Sequence, residues 1–356
     1  MKSYKNIVLF SSGLDSLSAL VNAREKYGSE NVLALYCNIG QRYNLKEIKA
    51  VKSICADLQQ KYIIDSRLNL TDLELPKEQN SIIPYRNLFM ILIASTYLPP
   101  EGGNILIQNV VRGESSTIDR RAIFNEKLQR FLPFADSRKV NIIAPHQGWT
   151  KGEICKWLLT KLSSSIILKT IGCYSDTSGR CGECNSCFRA FIALSYAGIN
   201  TKNQFEHNPV EWTTGIDAYV MEMLNGKYDL SRVSETFSVL RKHGIKIPQQ
   251  VYVFDLDGTI THKDPILGTM EISNPDIKKL QICYKNAKPN PAIVKKMAKI
   301  ILNGNKIIIH TARHEEDRAL TEEWLKNNNI PHSELVMGKP LGHFYLDDKS
   351  INMEDI

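Results

Sequence analysis

The chain has 356 residues, 43% of them hydrophobic and 23% charged, with 45 basic against 38 acidic side chains and a formal net charge of +7. That length predicts about two domains, each able to bury a core without disulfide staples. The composition excludes a disordered, collagenous or membrane class for the whole chain, and no run of about 18 apolar residues is available to span a bilayer. Met1 to Phe10 is too short and too strand-like for a secretory signal, so the expected location is the cytoplasm. Residues 1–248 hold 31 basic and 23 acidic side chains, whereas residues 249–356 hold 14 and 15. The basic excess therefore belongs to the first part. It suits anionic substrates such as nucleotides and does not require nucleic acid.

In chain order, Ile7–Phe10 reads as a strand, followed by Ser-Ser-Gly and a helical repeat through Leu14, Leu17, Leu20 and Val21. Val32–Tyr36 is a second apolar run, with a helix over about 45–58 after it. Further short runs at 105–107 and 142–144 continue the alternation. Continuous apolar strands separated by helices predict an α/β domain with a parallel sheet covered on both faces. Ligands are expected beyond the carboxyl ends of its strands. A helical stretch runs on to about Gly244. Pro248 then precedes a fresh start: strands at 251–254 and 307–309 and helices near 292–303 and 316–327 predict a second α/β domain. The expected boundaries are 1–202, a helical connector over 203–248, and 249–356.

Ser11, Ser12, Gly13, Leu14, Asp15 and Ser16 lie between the first strand and its helix. A tight turn there aims backbone N–H groups at one point, and the helix start adds partial positive charge. This predicts a pyrophosphate cradle, with Asp15 placed to hold Mg²⁺ on the phosphates. An ordinary helix cap reads equally well from spacing alone. The Gly-Lys-Ser/Thr of a Walker loop is absent.

The segment resembles the PP-loop of ATP pyrophosphatases, with Ser12 standing where that pattern has a glycine. The likeness extends through Ile39-Gly40-Gln41-Arg42-Tyr43, Pro84-Tyr85-Arg86-Asn87, Asp119-Arg120-Arg121, Trp149-Thr150-Lys151-Gly152-Glu153, and a segment ending Cys-Gly-Glu-Cys-Asn-Ser-Cys-Phe-Arg. Together these resemble the QueC family, the 7-cyano-7-deazaguanine (preQ0) synthases of queuosine biosynthesis, over about residues 5–198. Ile39, Tyr43, Tyr85 and Arg120 depart from the usual pattern near the expected substrate pocket. The resemblance implies an adenine-nucleotide alpha-hydrolase-like fold and ATP as co-substrate. It places Ser11–Ser16, Gln41 and Arg42 on ATP, Arg86, Asn87, Asp119 and Arg121 on the substrate, and Asp15 and Lys151 in catalysis.

Four of the eight cysteines, Cys173, Cys181, Cys184 and Cys187, fall within fifteen residues. Such spacing reads as metal ligands rather than disulfides. Four thiolates suit a closed structural Zn²⁺ site or an iron–sulfur cluster. The QueC resemblance favours zinc.

Asp255-Leu256-Asp257-Gly258-Thr259 follows the strand 251–254. Two carboxylates at i and i+2 at a strand's end can share a Mg²⁺ and a phosphoryl group. With His310-Thr311-Ala312-Arg313, Lys339 and Asp347-Asp348, the segment resembles the four motifs of the HAD (haloacid dehalogenase-like) phosphohydrolases over 250–350. That resemblance implies Asp255 as nucleophile and Asp257 as general acid/base. It puts Thr311 and Lys339 on the phosphoryl oxygens, and Asp255, Asp257 and Asp347 or Asp348 on Mg²⁺. Only about fifty residues separate Thr259 from His310, so any cap is small.

The expected activity is an ATP-dependent carbon–nitrogen ligase. A deazaguanine carboxylate, by resemblance 7-carboxy-7-deazaguanine, is adenylated and condensed with ammonia to an amide and then a nitrile. The first alternative couples the carboxylate to a protein amine in an anti-phage defence system. The second makes the phosphatase primary, with the first domain as a binding module. No membrane partner is expected, and an oligomer is compatible with the sequence.

Overall fold

Ile7, Val8, Leu33, Ala34 and Leu35 are fully buried, because helices cover both faces of the sheet they build. The structure, a computed structural model, describes residues 3–75, 83–113, 117–175, 177–225, 227–247, 249–264, 276–302 and 304–340. It divides into two compact units, Met1–Ile245 and Lys246–Ile356.

In the first unit, β1 (Asn6–Leu9), β2 (Val32–Cys37), β3 (Tyr62–Asp65), β4 (Gly103–Leu106) and β5 (Val140–Ile143) form a parallel sheet of order β3-β2-β1-β4-β5. Ile7 lies opposite Leu33 on one side and Ile105 on the other. The two-residue alternation sends Val8, Ala34 and Leu106 to one face. There they meet Leu17 and Leu20 of α1 (Leu14–Tyr27), Val51 and Ile54 of α2 (Asn44–Asp57), and Ile154 and Leu158 of α5 (Lys151–Leu159). Ile7, Leu33 and Ile105 point the other way, against Ile91 of α3 (Arg86–Ser95) and Leu128 of α4 (Ala122–Phe131). The strand order reverses at β1, so the crevice between the carboxyl ends of β1 and β4 is where such a fold takes ligands.

After α6 (Ser164–Leu168) the cysteine segment leads into α7 (Asn185–Tyr196), then α8 (Thr213–Leu224) and α9 (Leu230–Lys242). The stretch expected as a connector, 203–248, is described except for Gly226 and Pro248, and as far as Ile245 it is part of the first unit. Phe188 of α7 packs against Tyr219 of α8 at 5.0 Å between ring centroids. Phe237 and Leu240 of α9 are wholly buried.

The second unit has a three-stranded parallel sheet, β6 (Val251–Phe254), β7 (Lys306–His310) and β8 (Glu334–Val336), in that order. Phe254, Ile307 and Ile309 meet Met297 of α11 (Pro291–Leu302) and Trp324 of α12 (Arg318–Asn327), and α10 (Ile277–Asn286) precedes them. This core shares no residue with those of the first unit.

Candidate active site

The cradle turn is built by an unusual backbone. Ser12 is wholly buried with φ of 58°, in the left-handed region that glycine occupies without strain. Two bonds to one residue hold it: Ile171 N–H donates to its carbonyl at 3.0 Å, and its hydroxyl donates to Ile171 O at 3.4 Å. Beyond it, α1 begins at Gly13 with no side chain capping its amides. Gly13 holds the N-cap position, so the cap and the cradle occupy the same turn. Ser16 Oγ turns back instead, accepting from Ser11 N–H at 3.2 Å. Uncapped first-turn amides facing a cavity form an anion site.

Asp15 stands in that first turn. Its Oδ2 accepts from Lys151 Nζ at 2.9 Å, and its Oδ1 is buried with no hydrogen-bond partner among the described residues. A buried carboxylate oxygen left open beside an anion cradle fits a divalent cation accompanying phosphate. Lys151 is presented by the capped start of α5. The Thr150 hydroxyl accepts from Glu153 N–H at 3.2 Å, and the Glu153 carboxylate accepts from Thr150 N–H at 2.9 Å. Thr150 also donates to buried Glu235 of α9.

A cavity of about 200 Å³ opens over this turn, at the reversal in strand order. Ser11, Gly13, Leu14, Asp15 and Ser16 line it, as do Gln41, Arg86, Asn87 and Lys151. Four other residues expected at the site do not. Ser12 faces Ile171, and Arg42 runs outward to Glu74 at 3.1 Å. Arg121 is exposed, whereas its neighbour Arg120 reaches the cavity. Asp119 stands behind, its carboxylate accepting from Asn87 at 2.8 Å.

The far wall comes from the cysteine segment: Ile171, Gly172, Tyr174, Arg180 and Arg189 face the same space. Arg189, Arg120, Arg86 and Lys151 draw the Tyr174 phenol below its ordinary range, although burial alone would raise it. The cavity is thus strongly cationic.

Along its wall lies a buried network that the sequence did not disclose. Gln41 Nε2 donates to the Tyr36 hydroxyl at 2.7 Å and to Glu47 Oε2 at 2.9 Å, and Tyr36 donates to the same Oε2 at 2.8 Å. Burial pushes the Glu47 carboxyl up to about 7, against the pull of Gln41, Tyr36, Arg86 and Lys46.

Cys173, Cys181, Cys184 and Cys187 are buried, and their sulfurs all lie within 4.8 Å of one another. A tetrahedron of ~2.3 Å zinc–sulfur bonds has edges of about 3.8 Å, so the set fits Zn²⁺. Cys181 and Cys187 donate N–H groups to Cys173 and Cys184 Sγ at 3.4 Å. Gly182 (φ 89°) is obligatory there, since a Cβ would meet His207 O at 1.8 Å.

In the second unit, Asp255 follows β6 and its Oδ1 pairs with Lys339 Nζ at 3.2 Å. Burial raises its carboxyl pKa, opposed by Lys339 and helped by Asp257. Asp257 is gripped by Arg313 through two bonds, Nε to Oδ2 at 2.9 Å and Nη2 to Oδ1 at 2.7 Å. That guanidinium is fully buried, 3.9 Å from the Tyr284 ring centroid. Thr311 follows β7, whose Ile309 pairs with Phe254, and its carbonyl accepts from Lys339 N–H at 2.9 Å. Asp255, Thr311 and Lys339 thus converge, and Asp255 with Asp257 offers two carboxylates to a cation. Asp347 and Asp348 lie outside the described residues.

The first unit is therefore a doubly wound α/β domain whose ligand cavity is lined by the turn before α1 and by residues flanking a four-cysteine cluster. The family described as queuosine biosynthesis protein QueC matches residues 5–196, and the chain belongs to that family. Among its relatives is the 7-cyano-7-deazaguanine synthase of Psychromonas ingrahamii, 28% identical over 57% of this chain and 99% of the relative. The protein of that name in Methanocaldococcus jannaschii is 28% identical over 56% of this chain and 99% of its own. The Clostridium botulinum protein, again so named, is 30% identical over 52% and 93%. No helix among the described residues is long and apolar enough to cross a membrane.

Proposed function

We propose that this chain activates the carboxylate of 7-carboxy-7-deazaguanine, or a close analogue, with ATP and condenses it with a nitrogen nucleophile. The observation that carries this reading is Asp15: one oxygen on Lys151, the other buried and open, at an uncapped helix start inside a cationic cavity. The substrate carboxylate attacks the α-phosphorus of ATP and pyrophosphate leaves. First-turn amides of α1 and Lys151 stabilise the charge gathering on the phosphate oxygens. Mg²⁺ on Asp15 would screen the triphosphate. Adenylation is needed because no amine displaces oxide from a carboxylate. With ammonia the first product is the amide, and a second activation and dehydration would give 7-cyano-7-deazaguanine. Cys173, Cys181, Cys184 and Cys187 would hold Zn²⁺ and fix the cavity wall.

ATP–pyrophosphate exchange that depends on 7-carboxy-7-deazaguanine tests the first step. Mass spectrometry of the product with ammonia tests the second. Exchange that ignores the carboxylate refutes the activation. Amide formed only when a protein amine is supplied moves the assignment to a conjugating enzyme.

For the second unit, Asp255 beside Lys339 and Asp257 clamped by Arg313 support a HAD-like, Mg²⁺-dependent phosphohydrolase. Asp255 would attack phosphorus and Asp257 would handle the proton. Hydrolysis of p-nitrophenyl phosphate with Mg²⁺ is the expected activity, and its absence across a panel of phosphomonoesters would remove the reading.

A further inference from the structure

Tyr43 and Glu47 stand one helical turn apart, at the entry and in the first turn of α2, and both line the cavity. Each has an unused polar atom. The Tyr43 hydroxyl is buried and has no hydrogen-bond partner among the described residues. Among the described residues the side-chain hydrogen bonds to Glu47 both end on Oε2, with none on Oε1. The Tyr43 ring lies 5.3 Å from that of Tyr174, so two aromatic faces adjoin the same place. An acceptor oxygen, an orphaned hydroxyl and paired ring faces are the groups that receive an ammonium or primary amine.

Resting on the activation reading above, we propose that Glu47 Oε1, Tyr43 and Tyr174 seat the nitrogen nucleophile, an ammonium or a primary alkylammonium, and that Glu47 takes its proton. In the step, R–NH₃⁺ gives one proton to the Glu47 carboxylate. The nitrogen lone pair then attacks the acyl carbon of the acyl-adenylate and the carbon–oxygen bond to AMP breaks. The second nitrogen proton leaves on the departing phosphate, so AMP goes as its monoanion and Glu47 as the neutral acid. The surroundings favour this direction. Burial raises the Glu47 carboxyl and disfavours a charged amine beside it, and it outweighs Arg86 on α3 and Lys46 on the same helix, which lower the carboxyl. Tyr36 on β2 and Gln41 hold the carboxylate from below. A carboxyl raised to about 7 is also well matched to proton transfer at neutral pH.

The test separates activation from condensation. Glu47→Gln keeps both hydrogen bonds on an amide oxygen and loses only the base. Three rates are measured: carboxylate-dependent ATP–pyrophosphate exchange, amide formation with ammonium chloride, and hydroxamate formation with hydroxylamine, which is already neutral at pH 7. Glu47→Gln is expected to retain exchange and hydroxamate formation, lose amide formation at least ~100-fold at pH 7, and recover it at alkaline pH. Tyr43→Phe is expected to raise KM for ammonium with kcat nearly unchanged. Wild-type levels of amide from Glu47→Gln, or equal losses with ammonium and hydroxylamine, overturn the proposal. If Glu47→Gln does not fold, an unchanged KM for ammonium in Tyr43→Phe overturns it instead. Failure of exchange in the unaltered protein refutes the activation reading itself, a result distinct from all of these.

Discussion

Ser12 adopts a conformation that costs an L-residue roughly 1–2 kcal/mol, offset in part by one long hydrogen bond to Ile171 O at 3.4 Å. Ser12→Gly is therefore expected to leave stability unchanged or raise it by up to about 1 kcal/mol in urea denaturation. Ser12→Val, which adds β-branching at a left-handed position, is expected to lower it by about 2 kcal/mol or more. Glu47 makes a second prediction. Its carboxyl is raised from 4.5 to about 7, so between those values the native state binds more protons than the unfolded chain. Stability from this group is full below pH 4.5 and is lost as pH rises through 7, on the order of 3 kcal/mol in all. Glu47→Gln should flatten the stability curve across that window, and an unchanged slope would show that Glu47 is solvated. Asp15 and Lys151 were legible in the sequence, because a motif placed each at a helix start. Glu47 was not, since its environment is made by Tyr36 from a neighbouring strand and Gln41 from a loop. Arg42 and Arg121 erred the other way. A motif names a residue, but Arg42 pairs outward with Glu74 and Arg121 faces solvent.

The elements that position the site carry different amounts of local signal. β1 and β2 are buried on both faces, so they appear as unbroken apolar runs. β3, at the sheet edge with Tyr62 39% exposed, has only the short run Tyr62-Ile63-Ile64, and β8, with Glu334 exposed, has none, so their places in the sheets come from pairing with β2 and β7. The amphipathic patterns of α8 and α9 announce helices without saying which core they join. Hence 203–248 read as a connector, although α9 supplies Glu235 to the base of α5. That contact makes α5 testable. Thr150 caps the helix that presents Lys151 and also donates to buried Glu235. Losing the cap costs about 1 kcal/mol, and weakening the support of a buried carboxylate costs about 1–3 kcal/mol. Thr150→Ala should destabilise the first unit by about 2 kcal/mol in urea denaturation and slow ATP–pyrophosphate exchange. Thr150→Ser, which keeps both bonds, should restore most of each. If Ser fares no better than Ala, the lost methyl packing rather than the cap is what matters.

Across the whole molecule, two units with separate cores carry two separate sets of charged chemistry. The cysteine segment is structurally part of the first. Lys46 of α2 donates to Ser175 O at 2.5 Å and Gly179 O at 3.3 Å, and Ile171 braces Ser12. Chelation of zinc should therefore lower the unfolding temperature of the first unit and abolish ATP–pyrophosphate exchange. The transition of the second unit should stay in place. Substitution makes the same division from the other side. Asp255→Asn removes the nucleophile of the proposed phosphohydrolase, while the Lys339 contact survives as an ordinary hydrogen bond, so the fold has little cause to fail. Phosphatase activity is expected to fall to background with carboxylate-dependent exchange unchanged. Asp15→Asn removes the charge opposite Lys151 and should do the reverse. If either variant silences both activities, the two activities are not independent.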